Sequence, residues 1–107
     1  MNEYAPSPLT PDEVSRHPGA LVLDFGTGWC GHCARARPLV EAALQAHPGV
    51  PHQRIEDGPG RRLGRHFAVK LWPTLVFLRD GVEVARCVRP QHAGDIDAAL
   101  ARLESTG

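Results

Sequence analysis

The chain lacks an excess of either charge: 12 basic residues balance 12 acidic ones in 107, for a formal net charge of +0. A nucleic-acid binder normally shows a basic excess or a basic stripe, so the expected partners are proteins or small molecules and not nucleic acid. The first residues, MNEYAPSPLTPDEV, hold three acidic residues, three prolines and no apolar run. They lack the charged start and hydrophobic stretch of a secretory signal, and nothing suggests a membrane span, so a cytoplasmic protein is expected. Cysteine is scarce as well. Three residues, Cys30, Cys33 and Cys87, are too few and too oddly counted for a disulfide framework. A structural zinc site takes four ligands, but there is one CxxC, no second CxxC and no HxxxH, which leaves only a metal shared between two copies. Ala34, where covalent haem attachment needs a histidine, excludes that chemistry.

What is present fits a single globular domain over residues 1–107, with residues 1–8 expected to be an irregular N-terminal segment. The length suffices for one hydrophobic core, and 42% apolar with 22% charged residues is close to globular averages. Thr10-Pro11-Asp12-Glu13 reads as a helix start: a capping threonine, a proline at the first helical position and a glutamate that completes a capping box. His17-Pro18-Gly19 ends that helix early. ALVLDF, residues 20–25, is a nearly continuous apolar run and predicts a strand buried on both faces, as in sheets covered by helices. From about Cys30 to Ala46 the spacing of Leu39, Val40, Ala43 and Leu44 is helical, and Pro38 is expected to kink this helix. A weaker strand is expected over Val50 to Ile55, then a short basic helix from Arg61 to Phe67. TLVFLRDGVEVARCV predicts a hairpin turning at Asp80-Gly81, and a last helix is expected from about Gly94 to Leu103. This order of elements predicts an α/β sandwich with a mixed central sheet.

The stretch GWCGHCARARP, residues 28–38, poses the functional question: two thiols two residues apart hold a metal, brace the fold or exchange disulfides. LVLDF before the motif, Trp29-Cys30-Gly31-His32-Cys33 within it, Pro38 after it, Trp72-Pro73-Thr74 before the hairpin and the Asp80-Gly81 turn together resemble the thioredoxin family over roughly residues 9 to 104. The resemblance implies a thioredoxin fold, a central mixed β-sheet flanked by helices on both faces, and a thiol-disulfide oxidoreductase that reduces or exchanges protein disulfides through a mixed-disulfide intermediate. It implies protein disulfide substrates, a thioredoxin-reductase-like or glutathione-based reductant, and a monomer. No organic cofactor is called for, because the dithiol itself carries two electrons. The alternative is a thioredoxin-like binding module or redox sensor that does not turn over disulfides.

Residue chemistry agrees with this. Cys30 falls at a helix start, where free amides and the helix dipole favour a thiolate, and is the candidate nucleophile. Cys33, one turn deeper, is the candidate resolving cysteine. His32 departs from the Gly-Pro pair of typical thioredoxins and matches the CGHC of protein disulfide isomerases; a partly protonated imidazole there would stabilise the thiolate and raise the potential. The reference potentials of those two classes differ by about 90 mV, or about 4 kcal/mol, and an intermediate value is expected.

Asp24 is an acid in an apolar strand, which either serves proton transfer, as the matching family aspartate does for the resolving thiol, or points outward or pairs with a base such as Arg54. By resemblance Pro73 is cis, and the backbone of Trp72 offers hydrogen bonds to an extended substrate. Trp29 and Trp72 are candidates for an apolar rim around Cys30, with Trp72 equally readable as core. Two departures alter the docking surface: Gly26 stands where the family often has tryptophan, and Arg89 where a groove glycine is usual, which favours acidic substrates or narrows access. Arg54 and His52 compete for the place of the family's buried lysine. Cys87 reads as a small buried hydrophobe, and His17, His47, His52, His66 and His92 as solvated surface residues.

Overall fold

The structure, a computed structural model, describes residues 3–105. A four-stranded mixed sheet runs through its centre in the order β2-β1-β3-β4, built from Ala20–Gly26 (β1), His52–Glu56 (β2), Thr74–Arg79 (β3) and Val82–Val88 (β4). Strand β1 pairs parallel with β2 and antiparallel with β3, and β3 pairs antiparallel with β4. Four helices, α1 (Pro11–Ser15), α2 (Gly31–Gln45), α3 (Arg62–His66) and α4 (Ala93–Ser105), complete the order expected from the sequence.

Side-chain alternation along the strands explains the two layers of core. Leu21, Leu23 and Phe25 of β1, with Val76 and Leu78 of β3, pack against Val14 of α1 and Leu63 of α3. Val22 of β1, with Leu75 and Phe77 of β3, packs on the other face against Val40 and Leu44 of α2 and Ile96, Leu100 and Leu103 of α4. Buried on both faces, β1 and β3 therefore read as near-continuous apolar runs.

Local signals set the ends of these elements. The Thr10 side chain accepts from the Glu13 amide and the Glu13 carboxylate from the Thr10 amide, both at 3.1 Å, which caps α1 on both sides. Asp80 and Gly81 adopt φ of 52° and 80°, the two positive values that a tight hairpin turn requires. Asp80 also accepts the Gly19 amide at 2.7 Å and donates its own to the Gly19 carbonyl at 2.9 Å, tying the hairpin to the start of β1. Helix α2 runs through Pro38 as one span. Proline offers no N–H there, so the Ala34 carbonyl loses its partner within the helix without dividing it.

The segment ahead of α1 joins the sheet edge. Ala5 bridges Ile55 in parallel fashion, and its carbonyl accepts the Glu56 amide at 2.9 Å. Glu3 pairs with Arg37 of α2 at 2.8 Å. These contacts lay Tyr4 across the end of β1.

Candidate active site

The end of β1, the start of α2 and the loop before β3 converge on the two sulfurs. Cys30 is the N-cap of α2, extended at φ −82° and ψ 121°, and partly exposed; Cys33, one turn on, is buried. Burial works to raise the Cys30 pKa, but the Cys33 amide and thiol, the His32 amide and the charge of Arg89 outweigh it and hold the thiol below its ordinary value. Burial and the neighbouring Cys30 sulfur push Cys33 up to about 11, although the Thr27 amide and the Tyr4 hydroxyl pull the other way. One sulfur thus ionises more readily than an ordinary thiol and the other less readily.

His32 reaches Cys30 through its backbone. The Arg89 guanidinium, together with desolvation and Arg35, lowers the imidazole pKa, and its Nδ1 lies 3.0 Å from an Arg35 nitrogen that donates to it. The ring is therefore harder to protonate than a free imidazole, and Arg89 adds a positive charge that acts on Cys30. Arg89 itself has φ 49°, a conformation in which glycine costs nothing and a side chain costs about 1 kcal/mol. Its amide donates to the Pro73 carbonyl and its Nε to the Trp72 carbonyl, both at 2.9 Å.

The Trp72-Pro73 peptide is cis, and the Thr74 hydroxyl spans it by donating to the Leu71 carbonyl at 2.6 Å. Trp29 is 79% exposed, which rules out a core role for it, and meets Trp72 edge to face with centroids 5.6 Å apart. Trp72 is half-buried, and its indole N–H donates to Asp57 at 2.9 Å. Asp57, in the loop between β2 and α3, is a support that sequence reasoning missed. His32, Arg35, Arg89, Pro90 and Gln91 line a groove of about 470 Å³ beside Cys30.

Asp24 is 1% exposed and does not point outward. Desolvation raises its pKa to about 6 against hydrogen bonding from Tyr4 and the charges of Arg54 and Arg37. The parallel register pairs Asp24 with Arg54, whose Nε lies 3.5 Å from Oδ2, and both side chains are buried. Arg54, then, takes the buried basic position, while His52 is exposed. Sequence reasoning also missed Tyr4, whose hydroxyl donates to Asp24 Oδ1 at 2.6 Å and whose ring lies 5.2 Å from the Arg54 guanidinium carbon.

Cys87 packs in the core with its thiol donating to the Asp95 carbonyl at 3.3 Å, and burial raises its pKa to about 11. This matches the reading of Cys87 as a small buried hydrophobe. Two of the other histidines are less solvated than expected: His17 is half-buried, and His47 is half-buried against Glu104. Among the described residues no group of three or more His, Cys, Asp or Glu side chains can hold a metal ion, and no helix is long and apolar enough to cross a membrane.

Fold and site together define a protein of the α/β class that presents a dithiol at a helix start, beside a cis-proline. The chain belongs to the thioredoxin family of thiol-disulfide oxidoreductases, whose family model, Thioredoxin, matches residues 11–102. The solved structure of thioredoxin 2 from Pseudomonas aeruginosa PAO1 in its reduced form is 50% identical, with a TM-score of 0.87 over 99% of this chain and 98% of that one. Thioredoxin of Chlamydia trachomatis is 33% identical over 70 residues, 65% of this chain and 69% of that protein. Protein disulfide-isomerase A3 of Gallus gallus is 32% identical over 88 residues, 81% of this chain, but the match spans only 17% of that longer protein.

Proposed function

We propose that this protein reduces or exchanges protein disulfides through a Cys30/Cys33 dithiol. The observation that carries this reading is the placement of the two sulfurs, Cys30 partly exposed as the N-cap of α2 and Cys33 buried one turn on. The Cys30 thiolate attacks one sulfur of a substrate disulfide; that S–S bond breaks, one substrate thiolate leaves and a mixed disulfide forms. Cys33 then loses its proton towards Asp24 and attacks the Cys30 sulfur. The mixed disulfide breaks, the second substrate thiolate leaves, and the Cys30–Cys33 disulfide retains the two-electron oxidation. A thioredoxin-reductase-like or glutathione-based reductant in the cytoplasm restores the dithiol. The exposed Trp29 edge and the Trp72 backbone, next to cis-Pro73, supply the contact for an extended substrate.

The test is the reduction midpoint of the pair in glutathione redox buffers, read by tryptophan fluorescence with thiol trapping. A value between about −270 mV and about −180 mV is expected, the references for thioredoxin and protein disulfide isomerase. A protein that reduces insulin no faster than the chemical reductant alone overturns the proposal. His32→Pro, in the first helical turn where proline is tolerated, removes the amide that points at Cys30. Its midpoint is expected to fall by roughly 30 mV, the equivalent of one hydrogen bond to the thiolate of about 1.4 kcal/mol. His32→Ala keeps the amide and is expected to shift the midpoint less; equal shifts in the two variants would assign the effect to the imidazole.

The groove of His32, Arg35 and Arg89 carries positive charge without a carboxylate in its lining, which supports a preference for disulfides flanked by acidic residues. Such rim charges contribute about 0.2–1 kcal/mol. Arg89→Gly is therefore expected to lower kcat/KM for a peptide disulfide with acidic flanks by about two- to fivefold and to leave a lysine-flanked peptide unaffected or improved. Equal changes for both peptides would show that Arg89 acts through Cys30 alone.

A further inference from the structure

Gly26, where the family often has tryptophan, marks a second component of the site. A Cβ built on it would lie 2.6 Å from Cys33 Sγ, 2.6 Å from Tyr4 Cζ and 2.8 Å from Tyr4 Oη, closer than real Cβ atoms come. The Cys33 sulfur and the Tyr4 hydroxyl thus face each other across the volume that any side chain at residue 26 would fill. On its other side the same hydroxyl donates to Asp24 Oδ1 at 2.6 Å, the short distance of a hydrogen bond to a charged acceptor. The ring is held by the Arg54 guanidinium, the backbone by the Ala5 bridge to Ile55, and the neighbouring Glu3 by Arg37. A tyrosine from the N-terminal segment has taken the place of a residue-26 side chain and put an O–H between the acid and the resolving thiol.

We infer that the Tyr4 hydroxyl is the link through which Asp24 takes the Cys33 proton. This rests on the dithiol reading above. As Cys33 becomes the nucleophile, its S–H bond breaks and the proton passes to Tyr4 Oη, while the proton Tyr4 held passes to Asp24 Oδ1. The Cys33 electron pair forms the new bond to Cys30 Sγ, and the mixed disulfide releases the substrate thiolate. Tyr4 ends neutral, Asp24 ends protonated, and no further reactant is needed. The charged or titratable groups around Asp24 are Tyr4 of the N-terminal segment, Arg54 of β2 and Arg37 of α2, and Cys33 of α2 acts in turn on Tyr4. Burial and the Asp24 charge raise the phenol pKa, so Tyr4 does not ionise on its own in neutral solution.

Tyr4→Phe keeps the ring that fills the Gly26 volume and removes only the hydroxyl. Two measurements separate the outcomes. Stopped-flow release of a peptide thiol from a preformed Cys30 mixed disulfide is expected to slow about tenfold at pH 7, with its pH profile displaced upwards, while alkylation of Cys30 by iodoacetamide keeps its native rate. An NMR titration of the Asp24 carboxyl carbon is expected to show a higher pKa in the variant, because a donor to the carboxylate is gone. Native release kinetics with a native profile would overturn the relay, whatever the carboxyl titration shows. If the native protein forms no mixed disulfide at all, the dithiol reading fails and the relay with it; the carboxyl titration then shows only whether Tyr4 and Asp24 are in contact.

Discussion

Cys30→Ser is expected to abolish insulin reduction, and Cys33→Ser to leave the first attack intact but arrest the protein as a mixed disulfide with its substrate. The asymmetry follows from the site. Only Cys30 is both partly exposed and held below the ordinary thiol pKa, whereas Cys33 is buried and held near 11. A serine hydroxyl is far too weak an acid to present an alkoxide at neutral pH, so the loss at Cys30 is effectively complete. The check is insulin turbidity for turnover and intact-mass spectrometry for the trapped adduct. Activity in Cys30→Ser, or adducts on Cys33 in the native protein, would reverse the assignment of the two sulfurs. A protein that only docks, without turning over disulfides, would keep its partner function in Cys30→Ser.

The second large effect belongs to Asp24. Its carboxyl releases its proton near pH 6 in the folded chain and near its ordinary 3.8 in the unfolded one. Between those values the folded state binds more protons than the unfolded state, so folding stability falls as pH rises. A shift of about two pK units corresponds to about 3 kcal/mol, lost progressively from pH 4 to pH 7. In Asp24→Asn this component of the pH dependence is expected to disappear, as read by urea denaturation at a series of pH values. The absolute stability of the variant carries an opposing contribution, because Arg54 loses a buried partner and breaking such a pair costs about 3–5 kcal/mol. The slope with pH is accordingly the diagnostic quantity. Loss of the acceptor is also expected to slow the Cys33 step about 100-fold at pH 7 and to remove the inflection near pH 6 from its profile. A stability profile unchanged between the native protein and Asp24→Asn would mean that the carboxyl is solvated and not buried.

Much of this was legible in the sequence because it is decided within a few residues. The capping box at Thr10 and Glu13, the turn at Asp80-Gly81 and the helical spacing of Leu39, Val40, Ala43 and Leu44 each act over one turn of chain. The spacing of Cys30 and Cys33 is of the same kind: two residues between thiols at a helix start place one outside and one a turn deeper. For Asp24 the sequence left burial, an outward direction and pairing with Arg54 open, and the structure shows it buried and paired with Arg54.

Other features depended on chain segments that meet only in the folded protein. Tyr4 stands 20 positions before Asp24 in a stretch expected to be irregular, and no local pattern marks it as part of the site. The choice of Arg54 over His52 follows from the register of β2 against β1, which places Arg54 opposite Asp24 on the face towards α2. His52 lies on the same face, two residues back and opposite Val22, so it would take a slip of two residues to put it in the place of Arg54. The setting of His32 depends on the fold for a similar reason: Arg89, 57 positions away in the chain, is the main influence that lowers the imidazole pKa.

The sequence by itself therefore determined the elements, the spacing of the dithiol and the presence of an acid in β1, because caps, turns and periodicity are short-range properties of neighbouring residues. Only the tertiary structure decided which groups surround that acid and that dithiol. Electrostatic fields and close packing act across space, and the sheet register and the return of the N-terminal segment bring Tyr4, Arg54 and Arg89 within their reach.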